Sequence, residues 1–195
     1  MIAIIDYNAG NTRSVLFAMN RLNVDAVLTS DHSKIQSADK VIFPGVGEAS
    51  TTMAFLQNQG LDQLITSLRQ PVLGICLGLQ LMCKHSEEND TKCLGIFDVE
   101  VKRFSGEGDL KVPQMGWNQI MHLSSPLFAK NHDGDYAYFV HSYYAELADE
   151  YTIAQTTHGE TFSSALHRDN FFATQFHPEK SGNVGENILK SFLEL

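Results

Sequence analysis

In the first half of the chain, short apolar runs alternate with stretches whose apolar residues recur every three or four positions. Ile2 to Asp6 (IAIID), Asp25 to Leu28 (DAVL), Lys40 to Phe43 (KVIF) and Pro71 to Ile75 (PVLGI) are too short for helices and read as buried strands. Between them, Val15, Leu16, Met19 and Leu22 share one face of a helix; Met53 and Leu56 mark a second, and Leu61 to Leu68 a third. Such alternation predicts βαβ units around a parallel sheet.

From Phe97 onward the pattern changes. FDVEVKRF, YAYFVHSYYAEL, YTIAQTT, TFSSALH and FFATQFH follow one another as strand-like runs with little helix between them, which predicts an antiparallel or mixed extension. A helix from about Asn183 to Leu193 closes the chain; Asn183 and Glu186 have capping-box spacing, and Ile188, Leu189 and Phe192 form its buried face. No repeat, low-complexity linker or shift of composition divides the sequence. Its 195 residues, 1–195, are therefore expected to form a single α/β domain.

Charge and cysteine content narrow the function classes. The formal charge of −9, from 14 basic and 23 acidic residues, lacks the basic footprint of a nucleic-acid binder. The start, MIAIIDYNAG, has no basic flank, and no apolar run nears the roughly 20 residues that span a bilayer. A soluble, cytoplasmic protein is expected. Cys76, Cys83 and Cys93 are odd in number and lack paired metal-ligand spacing, so free thiols in a reducing compartment follow.

One thiol has a special setting. In GICLGLQ, Gly74 to Gln80, Cys76 ends a strand and starts a helix, with glycines on both sides to permit a sharp turn. Unpaired N–H groups at a helix start favour negative charge, so Cys76 is expected to be an exposed, reactive thiolate. A lone cysteine is more often a small core residue, and Cys83 and Cys93 keep that reading. A thiolate nucleophile needs a base. In QFHPEKS, His177 and Glu179 are two apart on a strand-like run, which puts both on one face, the carboxylate orienting the imidazole. In FPGVGEAS, Gly45 and Gly47 follow a buried strand and can turn N–H groups toward a developing oxyanion. DYNAGN, after the first strand, does not match a dinucleotide fingerprint.

Taken together, G-x-C-x-G-x-Q around Cys76 and H-P-E at His177 resemble the class I, or triad, glutamine amidotransferases, and the likeness covers essentially the whole chain. The resemblance implies a flavodoxin-like fold: a central, mostly parallel sheet flanked by helices, with an antiparallel extension in the second half. DYNAGNTRSV, PGVG, VPQMGWN, YFVHSYY and QFHPEKSG are similar, within that family, to the glutaminase subunits of imidazole glycerol phosphate synthases of histidine biosynthesis. By that resemblance Cys76 is the nucleophile, His177 the acid and base, and Glu179 its orienter. Oxyanion donors would be N–H groups of Leu77 and of the Val46–Gly47 stretch. Gln80, Glu88, Ser142 and Tyr143 would hold the substrate glutamine.

The resemblance also implies a partner: a separate cyclase subunit, a (β/α)8 barrel, joined as a heterodimer and receiving ammonia directly. Asn11, Trp117, Asn118, Tyr138 and Lys180 would lie at that interface. No metal or organic cofactor is implied. Two positions depart from the pattern, Glu48 where alanine is commoner and Gln114 where histidine is expected. They leave open a paralogous glutaminase that feeds another synthase. A cysteine peptidase, a γ-glutamyl hydrolase and a flavodoxin-like ligand-binding module are further alternatives at this stage.

Overall fold

The computed structural model describes residues 1–7, 12–106, 108 and 110–195. Asn11 and most of the DYNAGN motif lie outside the described residues. The first half runs β1 (Ile2–Ile5), α1 (Thr12–Arg21), β2 (Ala26–Thr29), α2 (His32–Ser37), β3 (Lys40–Gly45), α3 (Ala49–Asn58), α4 (Leu61–Ser67), β4 (Val72–Cys76) and α5 (Leu77–Met82). The second half adds β5 (His85–Ser86), β6 (Thr91–Lys92), β7 (Glu100–Arg103), β8 (Gln114–Gln119), β9 (Tyr136–His141), β10 (Tyr143–Ala145), β11 (Thr152–His158), β12 (Glu160–Arg168), β13 (Phe171–Thr174) and α6 (Gly182–Glu194).

Strand alternation sends neighbouring residues into two cores. Ala3, Ile5, Val41 and Phe43 enter one, with Met53, Leu56, Leu64 and Ile65 from α3 and α4. Ile2, Ile4 and Ile42 enter the other, with Val15 and Met19 from α1 and Ile188, Leu189 and Phe192 from α6. The large sheet has the order β2-β1-β3-β4-β13-β12-β10-β7-β5-β6, with β11 beside β12. β2, β1, β3, β4 and β13 pair in parallel, and β12, β10 and β7 continue the sheet antiparallel. The expected parallel sheet with its antiparallel extension is observed. No described helix is long and apolar enough to cross a membrane.

FFATQFH makes the extension mixed, as one of the two expectations had it: β13 pairs antiparallel with β12 and in parallel with β4, with Thr174 level with Ile75. Several local expectations are corrected. β13 ends at Thr174, so His177 and Glu179 are not on a strand: His177 caps a 3-10 turn, Pro178–Lys180, and Glu179 lies within it. YAYFVHSYYAEL is two strands in two sheets, since β9 pairs only with β8 in a separate ribbon and β10 joins the main sheet. The capping box at Asn183 is absent. α6 starts at Gly182 after Ser181, and Glu186 instead pairs with Lys190 at 2.6 Å, one turn on. The helix α2 has no counterpart in the sequence reading. Asp31 caps it, accepting Lys34 N–H at 3.0 Å.

Candidate active site

Parallel pairing brings three carboxyl-terminal strand ends side by side. Cys76 is in register with Gly45 of β3, and Gln175 follows Thr174, the partner of Ile75. At Cys76 the chain turns from β4 into α5 with φ of 56° and ψ of −108°, a conformation that costs a side-chain-bearing residue about 1–3 kcal/mol and clusters at functional sites. The turn is tight because α5 lies directly on β3: a Cβ at Gly78 would stand 2.1 Å from the carbonyl oxygen of Phe43. Any side chain there would push α5, and Cys76 with it, off the sheet.

Cys76 is not exposed as expected; it is 7% accessible. It opens instead onto a cavity of about 360 Å3, within the range of roughly 300–1,000 Å3 usual for small-molecule sites. Val46, Gly47, Cys76, Leu77, Gln80, Glu88, Ser142, Tyr143 and His177 all line it. These are the residues singled out above as nucleophile, base, oxyanion donors and substrate contacts, apart from Glu179. Glu179 stands behind the base, with Oε1 2.8 Å from His177 Nδ1 and both side chains essentially inaccessible. Burial disfavours a charged ring, but the Cys76 sulfur and the Glu179 carboxylate outweigh it and raise the His177 pKa. The arrangement favours the protonated ring of His177, braced by Glu179 on the side away from the cavity.

The loop after β3 is pinned at its far end. Gly47 has φ of 121°, which only glycine adopts readily, and nothing would meet a Cβ there. The next residue, Glu48, explains one departure from the family pattern. Its carboxylate caps α3, accepting Ser50 N–H at 2.8 Å, Thr51 N–H at 2.9 Å and Asn89 Nδ2 at 2.7 Å. Partial burial opposes its ionisation, but these hydrogen bonds prevail and hold its pKa near about 2. Glu88 ties the same loop from the other side by accepting Ala49 N–H at 2.8 Å. Burial raises the Glu88 pKa; that N–H opposes the rise and the Glu48 charge adds to it.

Pro113, Val140 and His141 also line the cavity, and sequence reasoning did not single them out. His141 Nδ1 is 2.7 Å from the carbonyl of Tyr143 and its Nε2 2.9 Å from the side-chain amide of Gln114. Burial lowers its pKa to about 3, and the nearby His158 and His177 push the same way against the Tyr143 carbonyl. His141 is therefore a neutral donor to Tyr143; Oε1 of Gln114 against its bare Nε2 would set two acceptors together, so the Gln114 amide is assigned the other way round, with its nitrogen donating. This explains the second departure, since Gln114 can supply the proton that Nε2 lacks. The motif YFVHSYY contained both His141 and the Tyr143 carbonyl that its Nδ1 meets, but only the pairing of Gln114 with His141 across β8 and β9 supplies the partner of Nε2.

Of the residues expected at an interface, the described ones, Trp117, Asn118, Tyr138 and Lys180, do not line the cavity. Trp117 is 55% exposed on β8 and meets Tyr138 of β9 edge to face, ring centroids 6.0 Å apart. Asn118 Nδ2 donates to the carbonyl of Thr157 at 2.9 Å. Lys180 is exposed on the turn that carries Glu179. Among the described residues, no group of three or more His, Cys, Asp or Glu side chains is placed to hold a metal ion.

The family model for class-I glutamine amidotransferases matches residues 3–195. A relative from Bacteroides fragilis (strain YCH46), an imidazole glycerol phosphate synthase subunit HisH, is 59% identical over all of this chain and 99% of its own length. The protein of that name from Idiomarina loihiensis is 45% identical over all of this chain and 97% of its own. Among solved structures, a glutamine amidotransferase superposes with a TM-score of 0.76 at 16% identity, covering all of this chain and 98% of that one. Another, from Thermotoga maritima, gives 0.61 at 16% identity over 99% of this chain and 82% of that one. At such identities the structural matches speak for the fold.

Proposed function

The chain belongs to the class-I glutamine amidotransferases, and from that premise we propose that it is the glutaminase subunit of an imidazole glycerol phosphate synthase. Residues 1–195 act as one glutamine amidotransferase domain in the cytoplasm. It works as a heterodimer with a cyclase subunit, a (β/α)8 barrel, which uses the ammonia to make imidazole glycerol phosphate and aminoimidazole carboxamide ribonucleotide in histidine biosynthesis. One observation carries the reading: Cys76, on its strained strand-to-helix turn, and His177, backed by buried Glu179, open onto one cavity with every residue expected to touch glutamine.

The chemistry follows from the chain's own groups. Thiolate Cys76 attacks the side-chain carboxamide carbon of glutamine, and the oxyanion is received by N–H groups of Leu77 and of the Val46–Gly47 stretch. His177 gives its proton to the departing ammonia as the tetrahedral intermediate collapses to a thioester. The neutral ring then takes a proton from water, the hydroxide attacks the thioester, and glutamate leaves as the thiolate is restored. Gln80, Glu88, Ser142 and Tyr143 hold the substrate, with the Glu88 carboxylate toward its amino group. Bulk water would protonate the ammonia to ammonium, which has no lone pair, so direct transfer to the cyclase is part of the mechanism.

Cys76→Ala tests the reading in the complex. Glutamine-dependent synthesis is expected to vanish while synthesis from added ammonium salt continues. Persistent glutamine hydrolysis in that variant would sink the assignment.

A further inference from the structure

We propose that Gln175 is a positioning residue for this reaction: held in one orientation by Gln80, its side-chain amide donates to Cys76 Sγ and keeps the sulfur, as thiolate, in place for attack. The proposal rests on the reading of Cys76 as the nucleophile. Gln175 lies at the end of the strand beside Cys76 and is fully buried. Its Nε2 is 3.8 Å from Cys76 Sγ, and its Oε1 is 3.1 Å from Gln80 Nε2.

An amide can be turned over, so the direction of these bonds needs an independent reason. The backbone supplies it. Gln80 Nε2 also lies 2.9 Å from the carbonyl oxygen of Tyr143, which can only accept. The nitrogen of Gln80 must therefore face that carbonyl, and its second hydrogen is left for Gln175. Gln175 can meet that hydrogen only with its own oxygen, and its nitrogen then points at the sulfur. Reversing Gln175 would set two N–H groups against each other and a carbonyl oxygen against a thiolate. A main-chain carbonyl thus fixes the polarity of a three-link chain, Tyr143 to Gln80 to Gln175, that ends on Cys76.

The consequence differs from that of the base. His177 moves protons; Gln175 moves none. The thiol form has an outlet of its own, since Sγ is 3.9 Å from the Val140 carbonyl and can donate to it. The Gln175 N–H favours the anion over that form. As the carbon–sulfur bond forms, the sulfur loses its charge and this hydrogen bond weakens. Its effect therefore falls on how much thiolate stands ready and where, and little on how tightly glutamine binds.

The test titrates the thiol without glutamine. The full chain, wild type and with Gln175→Met or Gln175→Glu, is alkylated with iodoacetamide across pH, and peptide mapping reads Cys76 apart from buried Cys83 and Cys93. Methionine removes the donor at similar length. Glutamate keeps the acceptor for Gln80 and places a second anion at the sulfur, so it preserves packing if methionine does not fold. The pH of half-maximal alkylation should rise by about one unit in Gln175→Met and further in Gln175→Glu. At pH values below both midpoints the Gln175→Met rate should fall only about threefold, because a more basic thiolate is more nucleophilic. With the cyclase present, kcat for glutamine should drop in Gln175→Glu, which keeps the acceptor for Gln80, while KM stays within about twofold. Unchanged midpoints in folded variants, or a change in KM alone, would overturn the proposal. If wild type failed to hydrolyse glutamine in the complex while the midpoints still shifted, the glutaminase reading would fail and the hold on the sulfur would stand.

Discussion

The amide N–H of His177 donates to the carbonyl of Tyr138 at 2.9 Å. Ser181 doubles the join, its hydroxyl donating to the His177 carbonyl at 2.7 Å and accepting Tyr138 N–H at 2.9 Å. The proposed base is thus fastened to the β8–β9 ribbon, in which Tyr138 stands opposite Trp117. A load on the exposed side of the ribbon reaches the backbone of His177 within two hydrogen bonds.

Trp117→Ala should therefore weaken the complex, since a single aromatic anchor can contribute roughly 2 kcal/mol or more to association. It should also lower the imidazole product formed per glutamate released. Lys180→Ala should lower that ratio more than it slows hydrolysis. A ratio near one in both variants, with unchanged affinity for the cyclase, would remove these residues from the interface.

Glu179→Gln keeps the shape of the buried pair but removes the charge that stabilises the protonated ring. Glutaminase kcat should fall by about 10²-fold or more, and His177→Ala should cost more still, because the proton carrier itself is lost. Single-turnover hydrolysis of both variants in the complex checks this order. Equal or reversed losses would contradict the roles.

Glu48 makes a prediction about acid. Its folded-state pKa is held near about 2 by its capping bonds. A depressed carboxylate pKa gives stability that is complete above the unfolded value, and that is lost as pH falls through the folded one. Glu48→Ala should cost about 1 kcal/mol at neutral pH, the usual worth of a helix cap. The gap between the two proteins in urea unfolding should narrow as pH falls from about 4.5 toward 2. A gap independent of pH would mean that the carboxylate charge does not matter to the cap.

His141 predicts a slope of the same sign in a higher pH window. Buried and neutral, it has a folded pKa of about 3, whereas the unfolded chain protonates it near about 6.5. The unfolded state binds the extra proton between those values, so stability falls as pH drops below the unfolded value. His141→Gln should reduce that loss, by up to about 1.4 kcal/mol per pH unit. Parallel stability curves for wild type and variant between pH 6.5 and 5 would show that the ring is not held neutral.

How far the site could be read in advance depended on how local its geometry is. The turn at Cys76 was legible because Gly74 and Gly78 stand within two residues of it, and Gly78 is required by a contact with Phe43. The His177 and Glu179 pair was legible as a pair, but on the wrong element, since Pro178 turns the chain where the apolar run suggested a continuing strand. Gln175 was invisible as a functional residue. Its partners Cys76 and Gln80 lie 99 and 95 positions away, and only strand order brings them together. The same holds for Gln114, whose partner His141 is fixed by ribbon register. The helix α2 went unread because it has one turn and a half and a single buried residue, Ile35, too little to show a period.

The place of β13 in the sheet also sets an order of events during synthesis. β4 emerges early with β3 on one side, and its other edge, Val72 to Ile75, stays without a neighbour until β13 has been made. A nascent chain therefore carries Cys76, the proposed nucleophile, for about half of its translation with neither His177 nor Gln175 beside it. Glutamine cannot be wasted by the incomplete polypeptide. The cost is an apolar strand edge open to stray pairing over the same interval. Translation speed through the last third of the message, and any chaperone that covers that edge, should weigh more on the yield of active protein than on the rate of the finished enzyme.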